Sequence, residues 1–158
     1  MKVLVIYDSV FGNTEKIARA IGEALSPLGD VRVIKVADAA AQEMQGLDYL
    51  FVGSPTRAFS PTPAAKQFLK TIPRHALDGV KVAAFDTRAD LQEVNSRFLN
   101  IMVKFFGYAA DPISKRLAQK GGRVIHPPEG FFVKGTEGPL ADGELERAAA
   151  WAQQVVQS

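Results

Sequence analysis

Short apolar runs alternate with stretches of helical period along most of the chain: KVLVIY, NTEKIARAIGEAL, VRVIKV, an Ala-rich turn or short helix, DYLFVG, PAAKQFLKTI and VKVAAFD. Such alternation predicts β-α-β units around a parallel sheet. In the first helix Ile17, Ile21, Ala24, Leu25 and Leu28 form an apolar stripe, and Glu15, Arg19 and Glu23 place charge pairs on the opposite side. A longer helix is expected from about Leu91 to Phe106, with Leu91, Val94, Phe98, Ile101, Met102 and Phe105 on one face and Gly107 as its stop. The next helix has Asp111 as N-cap, Pro112 at its first position and Gly121 just beyond its end. In VIHPPEGFFV the two prolines must interrupt the ladder, which predicts two half-strands. A last helix over Asp142 to Val156 buries Leu145, Ala148, Ala149, Ala152, Val155 and Val156.

Five strands and about five helices in this order fit a single α/β domain over residues 1–158. The expected architecture is a doubly wound five-stranded parallel sheet in three α/β/α layers, with strand order 2-1-3-4-5. Ligands of such sheets lie beyond the carboxyl ends of strands 1, 3 and 4, so the three loops there should carry the function.

The loop after strand 1, Asp8-Ser9-Val10-Phe11-Gly12-Asn13-Thr14, leads straight into a helix. Hydroxyls at Ser9 and Thr14 flank Gly12, which lets backbone amides approach an anion, and the helix amino end adds unsatisfied N–H groups. This is a phosphate cradle. Simple N-capping by Asn13 or Thr14 would explain one of these residues without needing Ser9. GxxxxGK[ST] and GxGxxG are both missing, so the loop is neither a nucleotide-hydrolase P-loop nor a dinucleotide fingerprint. After strand 3 come Ser54, Pro55, Thr56, Arg57, Ala58 and Phe59; after strand 4 come Asp86, Thr87, Arg88, Ala89 and Asp90. An ordinary turn would explain either of these two loops alone.

IYDSVFGNTEKIA resembles the flavodoxin signature: an aromatic after the strand, Ser, three residues, Asn-Thr, then Ala four residues on. The resemblance covers essentially the whole chain. It implies a flavodoxin-like fold that holds flavin mononucleotide (FMN) noncovalently, with Ser9, Val10, Phe11, Gly12, Asn13 and Thr14 around the phosphate and the second and third loops around the isoalloxazine. It further implies an electron carrier serving a redox partner protein or a small-molecule acceptor. An FMN-dependent oxidoreductase of quinones or protoporphyrinogen, reduced by NAD(P)H, is the alternative on the same loops. A phospho-accepting receiver domain would need Asp at the end of strand 3, where Gly53-Ser54 stand.

Two departures from the familiar carriers bear on chemistry. Those are strongly acidic, whereas this chain has a net charge of +2, with seven Lys/Arg against two acids in residues 97–134. That basic stretch could face an acidic partner, a phosphorylated ligand or nucleic acid, but it reads more simply as the solvated side of helices whose other side is apolar. The familiar Trp/Tyr pair is also missing; Phe59 is the nearby stacking candidate, and Trp151 belongs to the core. His75 and His126 read as surface residues without metal-ligand spacing. The chain has no Cys, and no apolar run approaches the roughly 20 residues of a membrane span, so a cytoplasmic protein without membrane insertion or nucleic-acid partner is expected.

Overall fold

The computed structural model describes residues 1–90 and 97–158. Its centre is the run of buried strands β1 (Lys2–Tyr7), β3 (Tyr49–Pro55) and β4 (Lys81–Ala89). All three are apolar on both faces, as strands covered by helices on each side must be. β2 (Asp30–Lys35) lies at one edge with alternating exposure, in register Leu4 with Arg32 and Ile6 with Ile34. The sheet order is β2-β1-β3-β4-β5, all parallel, as the alternation of elements predicts. The fifth position is shared by two half-strands, β5 (Arg123–Val124) and β6 (Glu129–Val133), which both pair with β4 on either side of Pro127-Pro128.

Two cores flank the sheet. On one face α1 (Asn13–Leu25) and α5 (Glu144–Gln157) cover Val3, Val5, Phe51 and Phe85. Trp151 fills this core edge-on to Phe51, Phe85 and Phe131 at 5.6–6.2 Å between ring centroids. On the other face α2 (Pro63–Thr71) and α4 (Ala110–Gln119) deliver Phe68, Leu69, Ile113 and Leu117 onto Leu4, Ile6, Leu50 and Val82. A helix α3 (Arg97–Phe106) precedes α4, and Gly107 at φ 72 ends it. Its expected beginning at Leu91 lies outside the described residues. No helix among the described residues is long and apolar enough to cross a membrane.

Several boundaries differ from the sequence pattern. α1 stops at Leu25 because Ser26-Pro27-Leu28 tightens into a 3₁₀ turn, and Leu28 is exposed instead of extending the stripe. α4 begins at Ala110, with Ala109 at the cap position instead of Asp111. Tertiary acceptors replace the local cap: Ala109 N–H donates to Thr56 Oγ1 at 3.1 Å and Ala110 N–H to Asp86 Oδ2 at 3.0 Å. On α3 Ile101 is exposed. In α5 Leu145 is exposed and Glu144 is buried, since the Glu144 carboxylate accepts the Phe132 N–H at 2.7 Å and pairs with Arg147 at 2.7 Å. His75, exposed, pairs with Asp78 at 3.3 Å. His126 is half-buried against Trp151, whose indole N–H donates to its Nδ1 at 3.2 Å.

Candidate cofactor site at the carboxyl ends of the sheet

The loop between β1 and α1 reaches the helix through Gly12, which stands at the cap position with φ 91. That left-handed conformation favours glycine, and a Cβ there would meet open space. No side chain caps α1. Ser9 Oγ accepts the N–H of Gly12 at 3.1 Å and of Glu15 at 3.4 Å. The backbone N–H groups of Asn13 and Thr14 meet no acceptor among the described residues. Neither Asn13 nor Thr14 therefore serves as an ordinary N-cap. The Asn13 amide donates across to Glu137 C=O at 2.8 Å, and the Thr14 and Thr87 hydroxyls share a hydrogen bond of 2.8 Å. Free N–H groups at a helix amino end, beside a hydroxyl, suit a phosphate.

Backbone and hydroxyl contacts join the three loops. Asp8 N–H donates to Gly53 C=O at 3.0 Å, and the Thr62 hydroxyl donates to Asp8 Oδ2 at 2.5 Å while capping α2 through Ala65 N–H. Ser54 Oγ, fully buried, accepts Thr62 N–H at 3.0 Å. Thr56 N–H donates to Thr87 C=O at 2.9 Å, tying the second loop to the third. Beyond Thr56 the chain turns tightly, with Arg57 and Ser60 exchanging backbone bonds of 2.8 and 3.0 Å around Ala58 at φ 47 and Phe59 at φ 66.

Between the loops lies a cleft of about 130 Å³. The first loop lines it with Val10, Phe11, Asn13 and Thr14, the second with Pro55, Thr56 and Arg57, the third with Thr87, Arg88 and Ala89. Ser9, Gly12, Ser54, Ala58, Phe59, Asp86 and Asp90 stand outside its wall. Among the described residues Phe11 is the aromatic that lines the cleft, and the Arg57 guanidinium lies 5.3 Å from its ring centroid. Val10 and Phe11 are about half exposed, at 49% and 47%.

Arg88 and Asp86 form the main charged feature. Arg88 binds both oxygens of the buried Asp86 carboxylate at 2.7 Å, and its guanidinium stacks 3.5 Å above the Tyr108 ring. Burial pushes the Asp86 carboxyl up, against the pull of Arg88 and the Ala110 N–H. Gly130 leaves room for the guanidinium, since a Cβ there would fall 2.1 Å from its carbon. Sequence reasoning placed Asp8 in the first loop without a role and missed Thr62, Tyr108, Val133, Thr136 and Glu137. Of these only Thr62, a hydroxyl residue just before Pro63, carries a local signal, that of an N-cap.

A family model described as "Flavodoxin domain" matches residues 4–134, the stretch from β1 to the end of β6 that includes all three loops. The chain belongs to the flavodoxin family. FMN is the cofactor of flavodoxins. A flavodoxin of Aquifex aeolicus (strain VF5) is 29% identical over 136 residues, 78% of this chain and 74% of that one. A probable flavodoxin 1 of Bacillus subtilis (strain 168) is 31% identical over 86 residues, 53% and 54% of the two chains. The oxidised flavodoxin 1 of Bacillus cereus superposes with a TM-score of 0.75 at 21% identity, covering 99% of this chain and 98% of the other, which is a likeness of fold.

Proposed function

We propose that this flavodoxin is an electron carrier that holds FMN noncovalently through the loops after β1, β3 and β4. The observation that carries the proposal is the helix start at Gly12: a left-handed glycine, no side-chain cap, and free N–H groups at Asn13 and Thr14. These groups suit a phosphate monoester because charge-assisted hydrogen bonds from fixed N–H donors are strong and the helix end is positive. Ser9 keeps the loop in shape by accepting two of its amides, and Thr14 and Thr87 offer hydroxyls beside it.

The cleft of 130 Å³ is smaller than the roughly 300 Å³ at which ligand pockets begin, so it suits the phosphate end of the cofactor better than its ring system. The ring would lie across the rim, which Val10, Phe11, Arg57 and Ala58 leave exposed. Bound FMN would supply the one- and two-electron chemistry, and the protein its placement and electrostatics. Asp86 and Tyr108 fix the Arg88 guanidinium at the cleft wall with its charge compensated.

The test is a comparative titration of cofactor-free protein with FMN and riboflavin. FMN should bind at least tenfold tighter, as a cradle built for the phosphate requires; equal affinities would overturn the assignment. Anaerobic NADPH added to the FMN complex should leave the flavin oxidised, whereas direct bleaching would make the protein an oxidoreductase in its own right.

A further inference from the structure

A second concave surface lies on the α2/α4 face, away from the phosphate cradle. It is a groove of about 260 Å³ between the two helices, lined by Pro61, Lys66, Leu69, Lys70, Pro112 and Arg116. The floor is apolar, with Pro61 and Leu69 buried. Three cations rise around it, Lys66 and Lys70 one turn apart on α2 and Arg116 on α4, all exposed. None of the three takes part in an ion pair among the described residues; Arg116 makes a hydrogen bond of 3.3 Å to Gln119 Oε1. Among the described residues no acidic side chain lines the groove. Pro61 and Pro112 lie at the amino ends of α2 and α4, so both helix dipoles add positive potential at the same end.

The groove rests on the same segments as the cofactor site. Thr62, next to Pro61, holds Ser54 and Asp8, and the first amides of α4 bind Thr56 and Asp86. A macromolecule seated there would lie beside the second and third loops.

We propose that this groove docks an acidic segment of the protein with which the chain exchanges electrons: a short stretch in which carboxylates flank one apolar side chain. The apolar side chain would occupy the floor over Leu69, and the carboxylates would meet Lys66, Lys70 and Arg116. Complementary charge of this kind raises association rates and fixes orientation. A nucleic acid fits less well, because no aromatic side chain among the described residues lines the groove for base stacking. The inference rests on the electron-carrier reading.

The test uses the FMN-loaded protein and amide-resolved NMR. Three probes are titrated: an acetylated Glu-Asp-Leu-Asp-Glu peptide, its Gln-Asn-Leu-Asn-Gln counterpart, and a single-stranded DNA oligomer. The acidic peptide should shift the amides of Lys66, Leu69, Lys70, Ile113 and Arg116, and the neutral one should not. Lys66→Glu with Lys70→Glu should weaken the acidic peptide about tenfold, whereas Lys66→Arg with Lys70→Arg should retain it. Equal shifts from the neutral peptide, shifts centred on Arg97 and Lys104, or shifts from DNA alone would overturn the proposal. FMN absorbance on the same samples reports cofactor binding separately, so loss of FMN would count against the carrier reading and not against the groove.

Discussion

Arg57 and Arg88 both line the cleft, yet only one of them brings an uncompensated charge. Arg88 is neutralised by Asp86, and Arg57 is exposed over Phe11 without an ion pair among the described residues. A reduced flavin carries negative charge, which a nearby cation stabilises. Arg57→Ala should therefore make the midpoint potential of bound FMN more negative, by an interaction on the order of 1 kcal/mol after solvent screening. Arg88→Met together with Asp86→Asn should shift it less, because the pair leaves as a neutral unit. Spectroelectrochemical titration measures both, and an unshifted Arg57→Ala protein would remove that residue from redox tuning. Thr14 makes a second residue-scale case. Thr14→Ala should weaken FMN by about 1–3 kcal/mol, the range for a hydrogen bond to a charged group, and Thr14→Ser should restore it. Isothermal titration decides; no change would mean the Thr14 hydroxyl serves Thr87 alone.

At the scale of elements, the hydrophobic period identified the strands because β1, β3 and β4 are buried on both faces, and it identified the split fifth strand because proline cannot donate to a ladder. It failed where a distant group satisfies a local end. The start of α4 is set by Asp86 and Thr56, residues 24 and 53 positions away, and nothing near Ala110 announces them. The same holds at α5, where Glu144 is buried because it closes β6 through Phe132 N–H and grips Arg147. Of the candidate site, the loop between β1 and α1 was legible as a glycine turn into a helix because its parts are contiguous; Tyr108 and Glu137 were not, since only the fold brings them to Arg88 and Asn13. Burial opposes ionisation of Glu144, but Arg147 and the Phe132 N–H outweigh it and hold the carboxyl below its ordinary value. The native state thus binds this proton less readily than the unfolded chain does. The stabilisation is present above the ordinary carboxylate range and is lost as pH falls through the lowered value. Denaturant unfolding across acidic pH should show this slope in the parent and a smaller one in Glu144→Gln, which should also be less stable at neutral pH.

For the molecule as a whole, Trp151 joins layers that no local pattern relates. Its ring meets Phe51 of β3, Phe85 of β4 and Phe131 of β6, and its indole N–H is taken by His126 between the two half-strands. Trp151→Ala should cost about 3–5 kcal/mol in chemical denaturation, the range for truncating a large buried aromatic, and a loss under 1 kcal/mol would show that the two half-strands hold without it. The distance along the chain between the two sides of the cleft has a further consequence. Asn13 at one wall is bonded to Glu137, 124 residues later and next to Thr136 of the other wall, and β6 must already lie on β4 for Val133 and Thr136 to close the cleft. During synthesis the loop between β1 and α1 is made 124 residues before Glu137, its partner across the cleft. The cleft therefore closes only once β6 has been made and laid on β4, so a ligand held between its two walls has to arrive after that step.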